Sequence, residues 1–183
     1  LLASPFGVFM LAYLAFYTFQ YFPIPLFPIA YVDILHLTDG MISLGSAIFY
    51  GAMMLASFRL SYASARYGHR KVLLVSAALF ILFPLLLAFA KGPQLYYLAC
   101  LIGGGVNALL SGGVINRLME RVPPNDRPAH MALHNLALNL GILAGSMLGP
   151  ISANLIGIHL SLILSSGLRL LAAGLLWFWD KGD

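Results

Sequence analysis

The chain has 183 residues, 61% hydrophobic and only 9% charged, with a formal net charge of +4. A soluble domain carries about a quarter charged residues, so this chain cannot coat a water-facing surface and belongs in a membrane. Cys100 is its one cysteine, which excludes a disulfide framework.

A spanning helix needs roughly 20 apolar residues. Residues 1–32 carry no charge, and a first helix is expected over 5–31. Pro23, Pro25 and Pro28 interrupt its far end, which is tolerated where neighbouring helices satisfy the freed backbone groups. Asp33, His36 and Asp39 make a short polar connection to a second helix over 41–61. A basic segment with Arg66, His69, Arg70 and Lys71 follows, then a third helix over 72–90. Lys91-Gly92-Pro93 is a tight turn before a fourth helix over 95–118. The segment from Glu120 to Arg127, with Pro123, Pro124 and Asn125, is the longest expected loop.

Residues 128–168 again lack Asp, Glu, Lys and Arg. The stretch on to Trp179 is too long for one span at 1.5 Å per residue. A break at Gly157-Ile158-His159 divides it into helices over 128–156 and 160–179. Trp177 and Trp179 then lie at a membrane surface, where Trp is favoured. Leu1 stands where a full-length protein would have Met, and nothing there resembles a signal peptide. The chain is therefore expected to be a piece of something longer.

Six spans put the N-terminus, the second-to-third connection, the fourth-to-fifth connection and the C-terminus on one side. That side holds Arg59, Arg66, Arg70, Lys71, Arg117, Arg121, Arg127 and Lys181. The other holds Lys91, Asp33 and Asp39. The positive-inside rule makes the first side cytoplasmic. Basic residues spread along one membrane face do not make a nucleic-acid site. The expected fold is an all-α membrane protein, a single six-transmembrane-helix bundle over 1–183. The expected setting is a plasma membrane such as the bacterial inner membrane.

The segment 62–71 reads YASARYGHRK. It resembles the loop motif of the major facilitator superfamily: Gly, three residues, Asp, Arg, any residue, Gly, then basic residues. Arg66, Gly68, Arg70 and Lys71 match, while Ser61 and Ala65 replace the first Gly and the Asp. In the fifth helix, Gly141, Gly145 and Gly149 form a stripe that permits close helix approach. With Pro150 they read GSMLGPISAN over 145–154, similar to the superfamily's antiporter-type motif. Ala153 and Asn154 replace that motif's last pair, so antiport is not implied. The degraded loop copy implies the C-terminal half of a twelve-helix transporter, itself a repeat of three helices plus three. Its partners would be a small solute, the bilayer and the missing N-terminal six-helix half. No cofactor is expected.

In that family the first, second, fourth and fifth helices of the half line a central cavity. Polar stripes fall on those helices here. Tyr13, Tyr17 and Gln20 share a face of the first, and Ser43, Ser46, Tyr50, Met54, Ser57 and Ser61 a face of the second. Asn107 and Ser111 align with Cys100 on the fourth, and Asn135, Asn139 and Ser146 on the fifth. Substrate-contact candidates are Tyr13, Tyr17, Gln20, Tyr50, Asn107, Asn135 and Asn139. An uncharged aromatic, Met- and amide-bearing face favours a neutral or amphipathic solute. No Asp or Glu lies inside a span, so His134, with His130, is the titrating candidate for proton coupling. Arg169 falls inside the sixth helix, where snorkelling or pairing with a polar neighbour is expected.

Two other readings exist. Asp126, His130 and His134 at i, i+4 and i+8 could ligate a metal in an intramembrane enzyme. The bundle could also be a complete scaffold or channel subunit that oligomerises.

Overall fold

The structure is a computed structural model that describes residues 5–179. Among them, every regular element is helical. The first span is discontinuous: α1 (Pro5–Tyr21) breaks, a short turn α2 (Leu26–Ile29) follows, and a π-helical turn (Ala30–Ile34) ends it. Prolines cause the break. Pro23 and Pro25 have no N–H to donate, and the Ile24 amide turns to the Tyr21 carbonyl (3.2 Å) rather than to that of Gln20.

Next comes α3 (Asp39–Tyr67), capped by Thr38, whose hydroxyl accepts from the Met41 amide at 3.4 Å. The third span is α4 (His69–Leu79) and α5 (Leu82–Phe89), interrupted at Phe80–Ile81. That break was not expected, and its signal was Pro84 four residues beyond Phe80. The rest are α6 (Pro93–Arg121), α7 (Arg127–Ile156) and α8 (Ile158–Trp179). Six stretches of the described chain are long and apolar enough to span a membrane.

The basic segment at 66–71 is not a loop. Only Gly68 separates α3 from α4, with φ 81° and ψ 152°. Hydropathy marks the part of a helix in lipid, and both helices continue beyond it. Gly157 (φ 83°, ψ 158°) separates α7 from α8 in the same way. This region of backbone space is essentially open to glycine alone.

The two turns are equivalent by an internal repeat. The first span packs on α7 as α6 packs on α3, and the first on α8 as α6 on the third span. The third span and α8 pack on each other. An odd number of helices per unit inverts the second relative to the first, the arrangement of inverted-topology repeats.

Side chains tie helix ends into two layers. At one end, Arg70 Nη2 donates to the Trp177 carbonyl (3.0 Å) and its guanidinium covers the Trp177 ring. Arg121 lies over Phe9, and Phe6 meets His130 edge-on. Arg117 pairs with Glu120 at 2.8 Å, with His69 3.9 Å from the same carboxylate. At the other end, Phe89 meets His159, Tyr31 meets Tyr96, and the Tyr96 hydroxyl donates to the Ile42 carbonyl. The side chain of Trp179, and Lys181, lie outside the described residues.

Candidate functional site

The helices line an open cavity of about 480 Å³. Its wall draws on both parts of the first span, on α3, the third span, α6 and α7, but not on α8. The two breaks lie beside it: Gln20, Tyr21 and Ile24 come from the first, and Phe80 and Phe83 from the second. Where a helix is interrupted, its backbone and flanking side chains can turn inward.

The lining is mostly aromatic, with Tyr17, Tyr31, Phe49, Tyr50, Phe83 and Tyr96 among its rings. Besides the tyrosine hydroxyls, the polar lining groups are Gln20, Asn107, Ser46, Ser111, Cys100 and His134, and none is a carboxylate. Asn107 Nδ2 donates to Met53 Sδ at 3.7 Å, a weak acceptor. The Tyr17 hydroxyl is hydrogen-bonded to His134 Nε2 at 2.7 Å. Such a lining suits ring stacking and a few hydrogen bonds, and it presents no carboxylate to attract a cation.

Of the residues expected at the site, Tyr17, Gln20, Tyr50 and Asn107 line the cavity. Tyr13 does not. Its ring is fully buried, with the rings of Phe9, Phe16, Tyr17 and His134 around it. Asn135 and Asn139 are exposed and do not line the cavity either; Asn139 Nδ2 donates to the Asn135 carbonyl at 2.7 Å. The residues of α7 that reach the wall are His134 and Leu138.

The reason is geometric. The face of α7 bearing Gly141, Gly145 and Gly149 is committed to the first span. A Cβ at Gly145 would meet the Thr18 carbonyl and the Phe22 amide, and one at Gly149 the Phe22 carbonyl. Each residue step turns a helix by about 100°, which swings Asn135 and Asn139 away from that face. Pro150 lies inside α7 at the end of the stripe. On α6, Gly104 approaches the Phe49 backbone of α3 in the same manner, a contact the sequence reading did not single out.

The loop-motif residues act at the end layer. Arg66 donates to the Tyr62 hydroxyl (2.7 Å) and lies near the Tyr62 and Tyr67 rings; Lys71 is exposed. Arg70 holds the end of α8, as above. The histidines have separate partners. His130 Nδ1 donates to the Asp126 carbonyl at 2.7 Å, whereas His134 is engaged by Tyr17. Among the described residues, no three His, Cys, Asp or Glu side chains group to hold a metal.

Arg169 does not snorkel. It is 2% exposed and donates to two backbone carbonyls, of Gln20 and Phe80.

The family model described as Major Facilitator Superfamily matches residues 9–183. No curated protein matches the chain.

Proposed function

We propose that this chain, which belongs to the Major Facilitator Superfamily, is the C-terminal half of a secondary transporter that moves a small neutral or amphipathic solute by alternating access. The observation that carries this reading is the aromatic, carboxylate-free cavity of about 480 Å³ beside two helix breaks. Discontinuous helices near the bilayer midplane are where transporters of this kind hold their cargo.

Tyr17, Gln20, Tyr50 and Asn107 contact the solute in this reading. Rings recognise its apolar body, and the two amides orient its polar groups. Asn135 and Asn139 have a different role. In hydrocarbon an unsatisfied amide costs roughly 4–8 kcal/mol, so their exposed face of α7 is suited to a second bundle rather than to lipid. The long α3 is likewise largely uncovered, with Tyr50, Met54 and Ser57 exposed. An N-terminal six-helix half seated on α3 and α7 closes the cavity, and the two halves rock about it. The basic end layer faces the cytoplasm.

The test is to purify the full-length protein and screen neutral and amphipathic aromatic compounds for a rise in its unfolding temperature. Hits are then followed as radiolabelled uptake into proteoliposomes. Saturable uptake that is lost in a Gln20→Ala, Asn107→Ala double variant is expected. Binding and uptake confined to strongly anionic compounds would overturn the solute class.

A further inference from the structure

Arg169 carries a charge into the middle of α8. The described carboxylates, Asp33, Asp39, Glu120 and Asp126, all lie at span ends, and none pairs with it. A buried guanidinium without a counter-ion is expensive, so what it binds matters. Its Nη2 donates to the Gln20 carbonyl at 2.8 Å and its Nη1 to the Phe80 carbonyl at 3.2 Å. The guanidinium also lies 4.5 Å from the centre of the Phe80 ring.

Those two carbonyls are special for one reason. In a continuous helix each would accept from the amide four residues on. For Gln20 that amide belongs to Ile24, and it is diverted to Tyr21. For Phe80 it would belong to residue 84, a proline with no N–H. The planar fork of arginine supplies both missing donors at once. The acceptors lie in different spans, and both residues line the cavity.

We propose that Arg169 is a positioning residue: it clamps the break in the first span to the break in the third and so fixes Gln20 and Phe80 in the cavity wall. It does not touch the solute, because it is buried behind that wall. Its functional meaning rests on the cavity being the solute path, but the clamp itself can be tested without a solute.

Cys100 lines the same cavity and is 3% exposed. Its alkylation by N-ethylmaleimide, a small neutral thiol reagent, reports on how far the wall opens. The full-length protein in membrane vesicles is treated with the reagent, and the Cys100 peptide is quantified by mass spectrometry. Arg169→Met removes both hydrogen bonds and is expected to raise the alkylation rate by at least about tenfold, the scale of one charge-assisted hydrogen bond. Pro84→Ala restores an amide at position 84, gives Phe80 an intrahelical donor, and is expected to bring the rate in Arg169→Met back toward wild type. A role in packing or charge alone would not respond to Pro84→Ala.

A folded Arg169→Met protein with a wild-type rate overturns the clamp, as does a raised rate that Pro84→Ala leaves unchanged. If Arg169→Met does not fold, recovery of monodisperse protein by Pro84→Ala supports the clamp, and no recovery overturns it. The expected labelling in a protein that transports nothing would remove the transporter reading and keep the clamp. Wild-type labelling of Arg169→Met in a protein that transports would remove the clamp alone.

Discussion

The hydroxyl of Tyr17 and Nε2 of His134 meet at 2.7 Å, joining α1 to α7 in the cavity wall. Both side chains are buried, and His134 Nδ1 has no hydrogen-bond partner. Nε2 is the ring atom that Tyr17 engages. Tyr17→Phe strands a buried ring nitrogen, which costs about 1–3 kcal/mol. The unfolding midpoint of the purified protein should fall accordingly. Adding His134→Leu removes the stranded group, so the double variant should lose less than the sum of the singles. Strict additivity in thermal unfolding would show that the pair contributes nothing.

The glycine stripe makes a prediction with a control in the same bundle. Gly145→Ala pushes a methyl into the Thr18 and Phe22 backbone, which cannot rotate away. Overpacking of this kind costs about 1–3 kcal/mol. Gly167 and Gly174, on α8, have nothing within 4 Å of an added Cβ. Alanine at either should be neutral or stabilise by up to about 1 kcal/mol, through helix propensity. Unfolding of the three variants in detergent ranks them, and a destabilised Gly174→Ala would contradict the packing described.

The cavity assignment separates residues that share a helix face on paper. Gln20→Ala and Asn107→Ala should each raise the KM of uptake by about tenfold, for one lost hydrogen bond to the solute. Tyr13→Phe, away from the wall, should leave KM unchanged. A raised KM for Tyr13→Phe with unaltered stability would put the path on the wrong side of α1.

Sidedness is open to chemical labelling. Lys71 and His36 are both exposed, in opposite end layers. In a full-length background freed of every native cysteine, Cys100 included, Lys71→Cys should react with a membrane-impermeant maleimide from the cytoplasmic side alone, and His36→Cys from the opposite side alone. The reverse pattern would invert the proposed orientation.

Hydropathy made the spans legible, because lipid demands long apolar runs whatever the tertiary contacts. The four-residue spacing of Gly141, Gly145 and Gly149 revealed a close approach but not its partner. Periodicity also grouped Asn135 with Asn139 correctly on one face of α7, yet could not say what that face meets. That choice belongs to the glycines, whose commitment to the first span leaves the wall to His134 and Leu138. The contacts of Arg169 were illegible for another reason. They run to backbone carbonyls, which every residue possesses, and become special only where Pro23 and Pro84 disturb the helices.

Gly68 and Gly157 make the same one-residue turn at opposite ends of the bundle, but their neighbours differ. Arg66, Arg70 and Lys71 surround the first, whereas the second has only His159 close by. In the proposed orientation, reversing the chain and setting which compartment it faces are thus separate instructions that overlap at 66–71. An engineer could move the basic residues to the 157 turn to relabel the protein's address and leave its path through space intact. Replacing either glycine would distort the path and leave the address unchanged.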